Sequence, residues 1–332
     1  MASETTPGMT PTTPSGTTSG TPSGTTSEHG TIRLPRELDD VPGWFPVLDQ
    51  MLFDWLLDRQ EEAGEKGDLL EVGVYMGKSA VFLGRHLREG ESYTVCDLFE
   101  SDAPDDANAA EATKSYRSTL TRRAFEANYL SFHDELPRVL QGPSSIVPGE
   151  VEPGSCRFVH IDASHLYEHV EADITAARHL LLPGGLVVLD DFRSEHTPGV
   201  SVAVWEAVLN RGLNPVCLST QKLYGTWGDP EPVQEALLEM VTRRNDCHLS
   251  NQRAAGHRII RLKSKGMKAP AFPKSRHWTP PDPPTPARTP PTRPRPPRSP
   301  ARALALALAR DLLPPLLTRT IRKARAAGRR TS

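Results

Sequence analysis

Hydrophobic positions in the middle of the chain switch between helical spacing and short strand-like runs. A first helix is predicted near residue 45, with apolar side chains on one face at Leu48, Met51, Leu52, Trp55 and Leu56. Apolar runs of strand length follow at 68–73, 92–96, 139–142, 157–161, 186–189, 214–218 and 257–262. Helical patterns at 78–88, 114–128, 167–182 and 200–210 lie between these runs.

This alternation predicts an α/β fold with a Rossmann-like, doubly wound sheet. We expect about seven strands, mostly parallel, with helices on both faces. In such sheets ligands bind beyond the carboxyl ends of the strands. Acidic residues lie at or near four of the predicted strand ends, namely Glu71, Asp97, Asp162, Asp190 and Asp191. The pattern therefore indicates a site at that edge.

The composition sets the limits of the folded region. Residues 1–30 are rich in Thr, Ser, Gly and Pro, and we expect a disordered low-complexity tail. Residues 265–300 hold 13 prolines between 270 and 300 and are predicted to be a Pro/Arg-rich linker. Residues 301–332 form a basic amphipathic tail segment. The remaining range, 31–264, has the length of one domain.

Charge is distributed unevenly along the chain. Residues 265–332 carry 16 Lys and Arg against two Asp, whereas the full chain has a net charge of −2. This basic tail is compatible with weak contact with an anionic membrane surface, with docking onto the acidic body, or with a solvated tail. No aromatic platform or nucleic-acid-binding motif accompanies it, so no nucleic acid partner is expected. The oligomeric state stays open.

The cysteines and the first residues indicate a compartment. Four cysteines are scattered without a CxxC pair, which favours a reduced, cytoplasmic setting. The N-terminus lacks a charged segment followed by an apolar one, so a signal peptide is not predicted. No apolar stretch reaches the length of a membrane-spanning helix.

A glycine-containing turn after the first predicted strand is the main candidate for nucleotide binding. Gly73 and Gly77 allow a sharp turn with close approach to a ligand. Asp97 ends the next strand, where a carboxylate can accept both hydroxyls of a ribose. The third glycine of a dinucleotide fingerprint is missing, and Lys78 and Ser79 stand in its place. A NAD- or nucleotide-using Rossmann enzyme remains an alternative.

The turn Glu71-Val-Gly-Val-Tyr-Met-Gly77 resembles motif I of the class I S-adenosylmethionine (SAM) methyltransferases. The segments 158–167 and 182–192 are similar to motifs of a methyltransferase family 24-like subgroup, which is related to metal-dependent small-molecule O-methyltransferases. The resemblance implies SAM as cofactor, with Asp97 at the ribose and Ser144 near the adenine. The Glu71 carboxylate could bind the ammonium group of SAM. The expected cofactor-binding residues are Glu71, Gly73, Tyr75, Gly77, Lys78, Ser79, Asp97, Leu98, Ser144 and Asp162.

The reacting centre is expected above the fourth and fifth strands. Converging carboxylates repel one another unless a cation lies between them, and Asp162, Asp190 and Asp191 are hard ligands suited to Mg²⁺ or another divalent cation. By resemblance to catechol-type O-methyltransferases, the basic residue three positions after Asp162 is the candidate catalytic base. That residue is His165.

The same resemblance has two departures. Asp191 replaces an Asn, and Ser164 replaces an Asp that would be a better metal ligand. In the alternative interpretation the aspartates only cap turns. His196 is a candidate for the substrate pocket, whereas His160 is expected to pack inside a strand and His169 to lie on a solvated helix face.

Together these features predict a SAM-dependent methyltransferase. Its expected reaction is O-methylation of a small hydroxylated molecule, such as a sugar or a secondary metabolite, with catalytic roles for His165 and Asp162. A non-catalytic binding module that keeps this fold and acts through its basic tail is the other alternative. The sequence does not identify the methyl acceptor.

Overall fold

Nine strands form one sheet in the part of the chain that the computed structural model describes, residues 33–115 and 120–280. They are β1 (Asp68–Val72), β2 (Tyr93–Asp97), β3 (Arg138–Gln141), β4 (Cys156–Ile161), β5 (Leu181–Leu189), β6 (Asn214–Leu218), β7 (Leu223–Thr226), β8 (Cys247–Ala254) and β9 (His257–Ser264). Their order across the sheet is β3-β2-β1-β4-β5-β7-β6-β9-β8.

The first five strands in this order are all parallel, with β1 between β2 and β4. β7 then pairs antiparallel with both β5 and β6. The chain therefore reverses its winding direction at β1, and the carboxyl ends of β1, β2 and β4 open on the same edge. This is the switch point at which doubly wound sheets bind ligands.

Helices cover both faces of the sheet, as the alternating pattern predicts. They are α1 (Val47–Glu62), α2 (Lys78–Gly84), α3 (Asp106–Ser115), α4 (Arg122–Tyr129), α5 (Val147–Glu150), α6 (Tyr167–Leu180), α7 (Pro198–Asn210) and α8 (Glu231–Thr242). Buried side chains of α1, α2, α4 and α8 pack on one face, and those of α5, α6 and α7 pack on the other.

The central strands are buried on both faces because helices cover both faces. All six residues of β4 are buried; Phe158 packs toward the α1 layer and Val159 toward the α6 layer. A parallel strand between two helical layers has no solvent side, so its sequence is mostly apolar without a regular alternation, here with Arg157 and His160 as buried polar residues. For this reason the sequence located β1, β2 and β4 within one or two residues.

The strand predicted at 257–262 is confirmed, but the number of strands is nine instead of about seven. Residues 257–262 belong to β9, which lies outside β6 and pairs along its length with the polar strand β8. The place beside β5 is taken by β7, a strand of four residues. β7 was missed because it is short and contains Gly225, whereas β8 was missed because its side chains are mostly exposed.

The folded region continues past the predicted boundary at 264. Phe272 stacks on Phe82 of α2, with ring centroids 5.4 Å apart. The Ser275 hydroxyl donates to the Pro35 carbonyl at 2.6 Å, and Ser275 is buried. Residues 265–280 thus pack on the domain, although the sequence assigns them to a linker. The predicted tails at 1–30 and 301–332 lie outside the described residues.

Within the described ranges, no helix has both the length and the apolar character needed to cross a membrane.

Candidate active site

A cavity of about 440 Å³ opens at the carboxyl ends of β1, β2 and β4. Eight of the expected site residues line it, namely Gly73, Tyr75, Lys78, Ser79, Asp97, Leu98, Ser144 and Asp162. The candidate base His165 lines it as well. Strand ends that are far apart in sequence therefore meet at one cavity, as the fold predicts.

The turn after β1 has to be built around Gly73. Its φ angle is +82°, and a Cβ there would lie 1.9 Å from the carbonyl oxygen of Asp162. Only glycine fits so close to a neighbouring backbone. Tyr75 also has a positive φ, +47°, and its ring packs on Trp44 at the cavity wall. The turn is held open toward the cavity by this geometry.

Gly77 has a different role from the one expected. It has a φ of +91° at the start of α2, and a Cβ there would contact the Phe125 ring at 2.9 Å. Gly77 is absent from the residues that line the cavity. Because residue 77 has no side chain, α2 can pack closely against Phe125 of α4. This packing directs the start of α2 toward the cavity.

Asp97 joins the turn to the end of β2. Its Oδ2 accepts hydrogen bonds from the backbone N–H groups of Val74 and Tyr75, at 2.8 and 2.9 Å, and its Oδ1 accepts from Phe99 at 3.0 Å. Burial raises the pKa of Asp97 although these three donors oppose it. These three bonds use both lone pairs of Oδ2 and one of Oδ1, so Asp97 can accept one further hydroxyl group in the cavity, through Oδ1.

Asp173 on α6 is a cavity residue that the sequence analysis missed. It is 6% exposed, and its Oδ2 has no hydrogen-bond partner in the described structure. Burial raises the pKa of Asp173 to about 6, although a hydrogen bond with Ser144 opposes the shift. A buried carboxylate oxygen without a donor is uncommon, and Asp173 is one of the residues that line the cavity. Its position on a helix, away from the strand ends, explains why the pattern gave no signal.

The acidic segment 99–111, which includes the first turns of α3, forms one wall of the cavity. The His169 Nε2 lies 2.8 Å from Asp105 Oδ2, and its Nδ1 lies 3.1 Å from the Ser164 hydroxyl. Asn108 donates to the same hydroxyl at 3.2 Å. His169 therefore ties the start of α3 to α6, instead of lying on a solvated helix face as expected.

His165 is paired with one of the two aspartates after β5. Its Nε2 lies 3.0 Å from Asp191 Oδ2, and the Ser194 hydroxyl donates to Asp191 Oδ1 at 2.7 Å. Burial alone would raise the pKa of Asp191, but hydrogen bonds from His165 and Ser194 outweigh it and the pKa is lowered. Asp191 is thus an anion that holds the His165 ring. The His196 ring lies 6.1 Å from the His165 ring, centroid to centroid.

Glu71 is fully buried and points away from the cavity. Its Oε2 accepts from the Tyr93 hydroxyl at 2.6 Å, and its Oε1 lies 2.8 Å from His160 Nδ1. Glu71 and His160 are paired residues in the β1–β4 register, so their side chains meet on the same face of the sheet. The expected contact of Glu71 with a cofactor ammonium is replaced by this buried contact, and His160 is part of a polar network.

The same network continues to Lys222, which no sequence pattern indicated. The Lys222 Nζ lies 3.2 Å from His160 Nε2 and forms a buried salt bridge with Asp190 Oδ2. The side chain of Lys222 is 1% exposed. β5 and β7 are antiparallel with Leu189 opposite Leu223, so the next pair out is Asp190 and Lys222. The signal was hidden because β7 itself was not predicted.

Residues 70–192 match a family model described as a methyltransferase domain. Among curated proteins, no sequence matches the chain. The family match favours methyl transfer over the dinucleotide-using alternative.

Solved structures with similar folds include three O-methyltransferases. The O-methyltransferase NovP is 18% identical, with a TM-score of 0.44 over 54% of this chain and 79% of its own. CalS11, a TDP-rhamnose 3′-O-methyltransferase of calicheamicin biosynthesis, is 20% identical, with a TM-score of 0.38 over 55% of this chain and 80% of its own. An O-methyltransferase from Bacillus cereus in complex with SAH is 14% identical, with a TM-score of 0.31 over 67% and 82%.

Proposed function

We propose that residues 70–192, which match a methyltransferase domain, bind SAM and that the protein methylates a hydroxyl oxygen of a small molecule. The observation that carries this proposal is His165, which lines the cavity and is held by Asp191. A histidine oriented by a carboxylate is suited to take a proton from a hydroxyl group, which is the proton that O-methylation has to remove.

The residues around the cavity fit SAM. The unpartnered Oδ2 of Asp173, beside Ser144, is suited to accept an N–H bond from an adenine amino group. Asp97 offers the remaining lone pair of Oδ1 to a ribose hydroxyl, and Gly73 leaves room for close approach of the ligand to the backbone. When bound, SAM supplies a sulfonium-activated methyl group.

His165 is proposed as the general base. The neutral imidazole, held by Asp191 through Nε2, is proposed to accept the proton of the acceptor hydroxyl. Asp191 stabilises the protonated ring that results, because its lowered pKa keeps it an anion near neutral pH. Asp162 lies at the end of β4 in the wall of the same cavity and is proposed to position the acceptor.

The segment that begins α3 is proposed to keep water out of the cavity. It is tied to α6 through the Asp105–His169 and Asn108–Ser164 contacts, and Pro104 and Asn108 line the cavity. Holding the acceptor oxygen in line with the methyl group in a dry site supplies much of the rate acceleration in transfers of this kind. His196 is proposed to contact the acceptor.

The test is methyl transfer from labelled SAM to a panel of sugars, glycosides and phenols, with the methylated atom assigned by NMR. We expect an O-methyl product, and a rate lowered about 10²–10⁴-fold in His165→Ala. SAH affinity should be unchanged in that variant. His179→Ala, which changes an exposed histidine on α6, is the control. An N-methyl or C-methyl product, or an undiminished rate in His165→Ala, contradicts the proposal.

A further inference from the structure

The aspartate pair after β5 resembles a metal site in sequence but not in its contacts. Asp190 Oδ1 accepts from the Asp191 N–H at 2.7 Å, and Asp190 Oδ2 is bonded to Lys222. Asp191 Oδ1 accepts from Ser194, and Asp191 Oδ2 is bonded to His165. All four carboxylate oxygens therefore already have partners from the protein itself.

A positive charge is also already in place. His160, Asp162 and Asp190 each present one ligand atom, all within 4.8 Å of one another, as a divalent metal would require. The Lys222 ammonium contacts two of these three residues, His160 and Asp190. A divalent cation placed there would face a buried ammonium in a medium of low dielectric, where repulsion is strong. The residues present do not fit a metal.

Each contact in the network around Lys222 can be assigned one donor and one acceptor. Burial raises the pKa of Tyr93 well above its ordinary value, so Tyr93 stays protonated and donates to Glu71. With Glu71 as acceptor, His160 donates through Nδ1 and accepts from Lys222 through Nε2. The line of contacts runs from β2 across β1 and β4 to the β5–β7 pair. Such a fully satisfied buried network holds its members in one arrangement.

We propose that Lys222 is an internal cation that takes the place of a divalent metal at the end of β5. Its ammonium neutralises Asp190 and fixes the start of the turn that carries Asp191. Lys222 is a positioning residue for the His165–Asp191 pair, which it does not touch. The active centre thus holds its aspartate pair without a metal.

The decisive experiment titrates the full-length protein with Mn²⁺ and follows the signal of free Mn²⁺ by electron paramagnetic resonance. We expect no saturable loss of the free signal with the wild type. Lys222→Ala should show saturable loss, because Asp162, Asp190 and His160 then form an open site. Mn²⁺ should also raise the melting temperature of that variant but not of the wild type, since the metal restores the missing positive charge. A merely structural lysine would not produce this rescue.

Two further variants control for non-specific Mn²⁺ binding to surface carboxylates and for loss of folding. Lys274→Ala removes a lysine from an exposed pair with Glu37 and should bind no more Mn²⁺ than the wild type. Lys222→Gln keeps a hydrogen-bond donor for Asp190 and should gain Mn²⁺ binding even if Lys222→Ala does not fold. The inference is overturned if the wild type binds Mn²⁺ and Asp190→Asn abolishes that binding. It is equally overturned if folded Lys222 variants bind none.

The inference concerns the centre to which the proposed function assigns methyl transfer. The Mn²⁺ titration needs neither SAM nor a methyl acceptor. If the Lys222 variants fail to gain Mn²⁺ binding, the internal cation is contradicted and the proposed reaction is unaffected. If no O-methylation is found, the Mn²⁺ titration still tests the internal cation.

Discussion

At the residue scale, the two aspartates Asp173, in the cavity wall, and Asp191, behind His165, have different electrostatic environments. Asp191 is kept ionised by its hydrogen bonds, whereas Asp173 is pushed toward the neutral form by burial. Two aspartates in one active centre therefore suit different tasks, one to hold a base and the other to meet a ligand donor. The sequence identified the first through its motif, but the second depends on which face of α6 turns to the cavity.

Replacing Asp191 with Asn should slow methyl transfer while leaving SAH affinity nearly unchanged. The amide keeps the size of the side chain but loses the charge that stabilises a protonated His165. We expect a loss of about 10²–10⁴-fold in kcat, as for removal of a general base, with little change in KM for SAM. Single-turnover kinetics with the identified acceptor measure this. A rise in the KM for SAM with kcat unchanged would show that Asp191 contributes to cofactor binding instead.

The raised pKa of Asp173 predicts a dependence of stability on pH. An aspartate with a pKa of about 6 in the folded state and 3.8 when unfolded keeps its proton longer when folded. Its contribution to the free energy of unfolding is therefore fully present below pH 4 and is lost as pH rises through 6, by at most about 3 kcal/mol. Relative to Asp173→Asn, the wild type should lose stability across this window in denaturant titrations.

The same variant should bind SAH about tenfold more weakly, because an amide that turns its NH₂ group to the cavity cannot accept from an amino group. A gain in stability together with a loss in affinity is expected for a buried polar group kept for binding. Equal pH profiles of stability for the two proteins would contradict the assignment of the shift to Asp173.

At the element scale, two glycines hold the loop that follows β4. Gly73 approaches the loop at Asp162, and Gly199 on α7 approaches it at His165, where a Cβ would lie 2.5 Å from the carbonyl oxygen. The candidate catalytic residues thus lie on a loop fixed between the β1 turn and the start of α7. The parallel strands that frame it were predictable, since continuous apolar runs mark them. The antiparallel β7 was not, and Lys222 was therefore missed with it.

Gly73→Ala should destabilise the protein and abolish SAH binding, because the new Cβ would lie 1.9 Å from the Asp162 carbonyl oxygen. The matched control is Gly184→Ala, at the same φ of +82° but with no atom within 4 Å. The control should lose only about 1–2 kcal/mol, the cost of a left-handed conformation, as judged by chemical denaturation. Similar losses in the two variants would show that backbone conformation alone matters at Gly73.

At the scale of the whole molecule, the folded unit is longer than composition suggests. Proline content drew the predicted boundary at 264, yet Phe272 and Ser275 pack on the domain farther along. Composition is an average over a segment, so it does not reveal that Phe272 and Ser275 make specific contacts within a proline-rich stretch. A few specific contacts outweigh a general tendency toward disorder.

A protein truncated after residue 264 should be less stable than one truncated after residue 280. Loss of the Phe272 stack and the Ser275 hydrogen bond exposes Phe82 and leaves the Pro35 carbonyl without its donor. We expect a difference on the order of 2–4 kcal/mol in the free energy of unfolding. Thermal melts of the two proteins, at equal concentration, measure it. Identical melting curves would show that the segment adds nothing to the fold.

The central claim is that SAM binds across the carboxyl edge of the sheet between the Gly73 turn and Asp97. Calorimetric titration of the full-length protein with SAH tests it most directly. The account predicts one site per chain and an affinity at least about tenfold weaker in Asp97→Ala, which loses a charged acceptor for the ribose hydroxyls. A folded wild-type protein that gives no binding heat at several temperatures, or an Asp97→Ala variant that binds equally well, would contradict it.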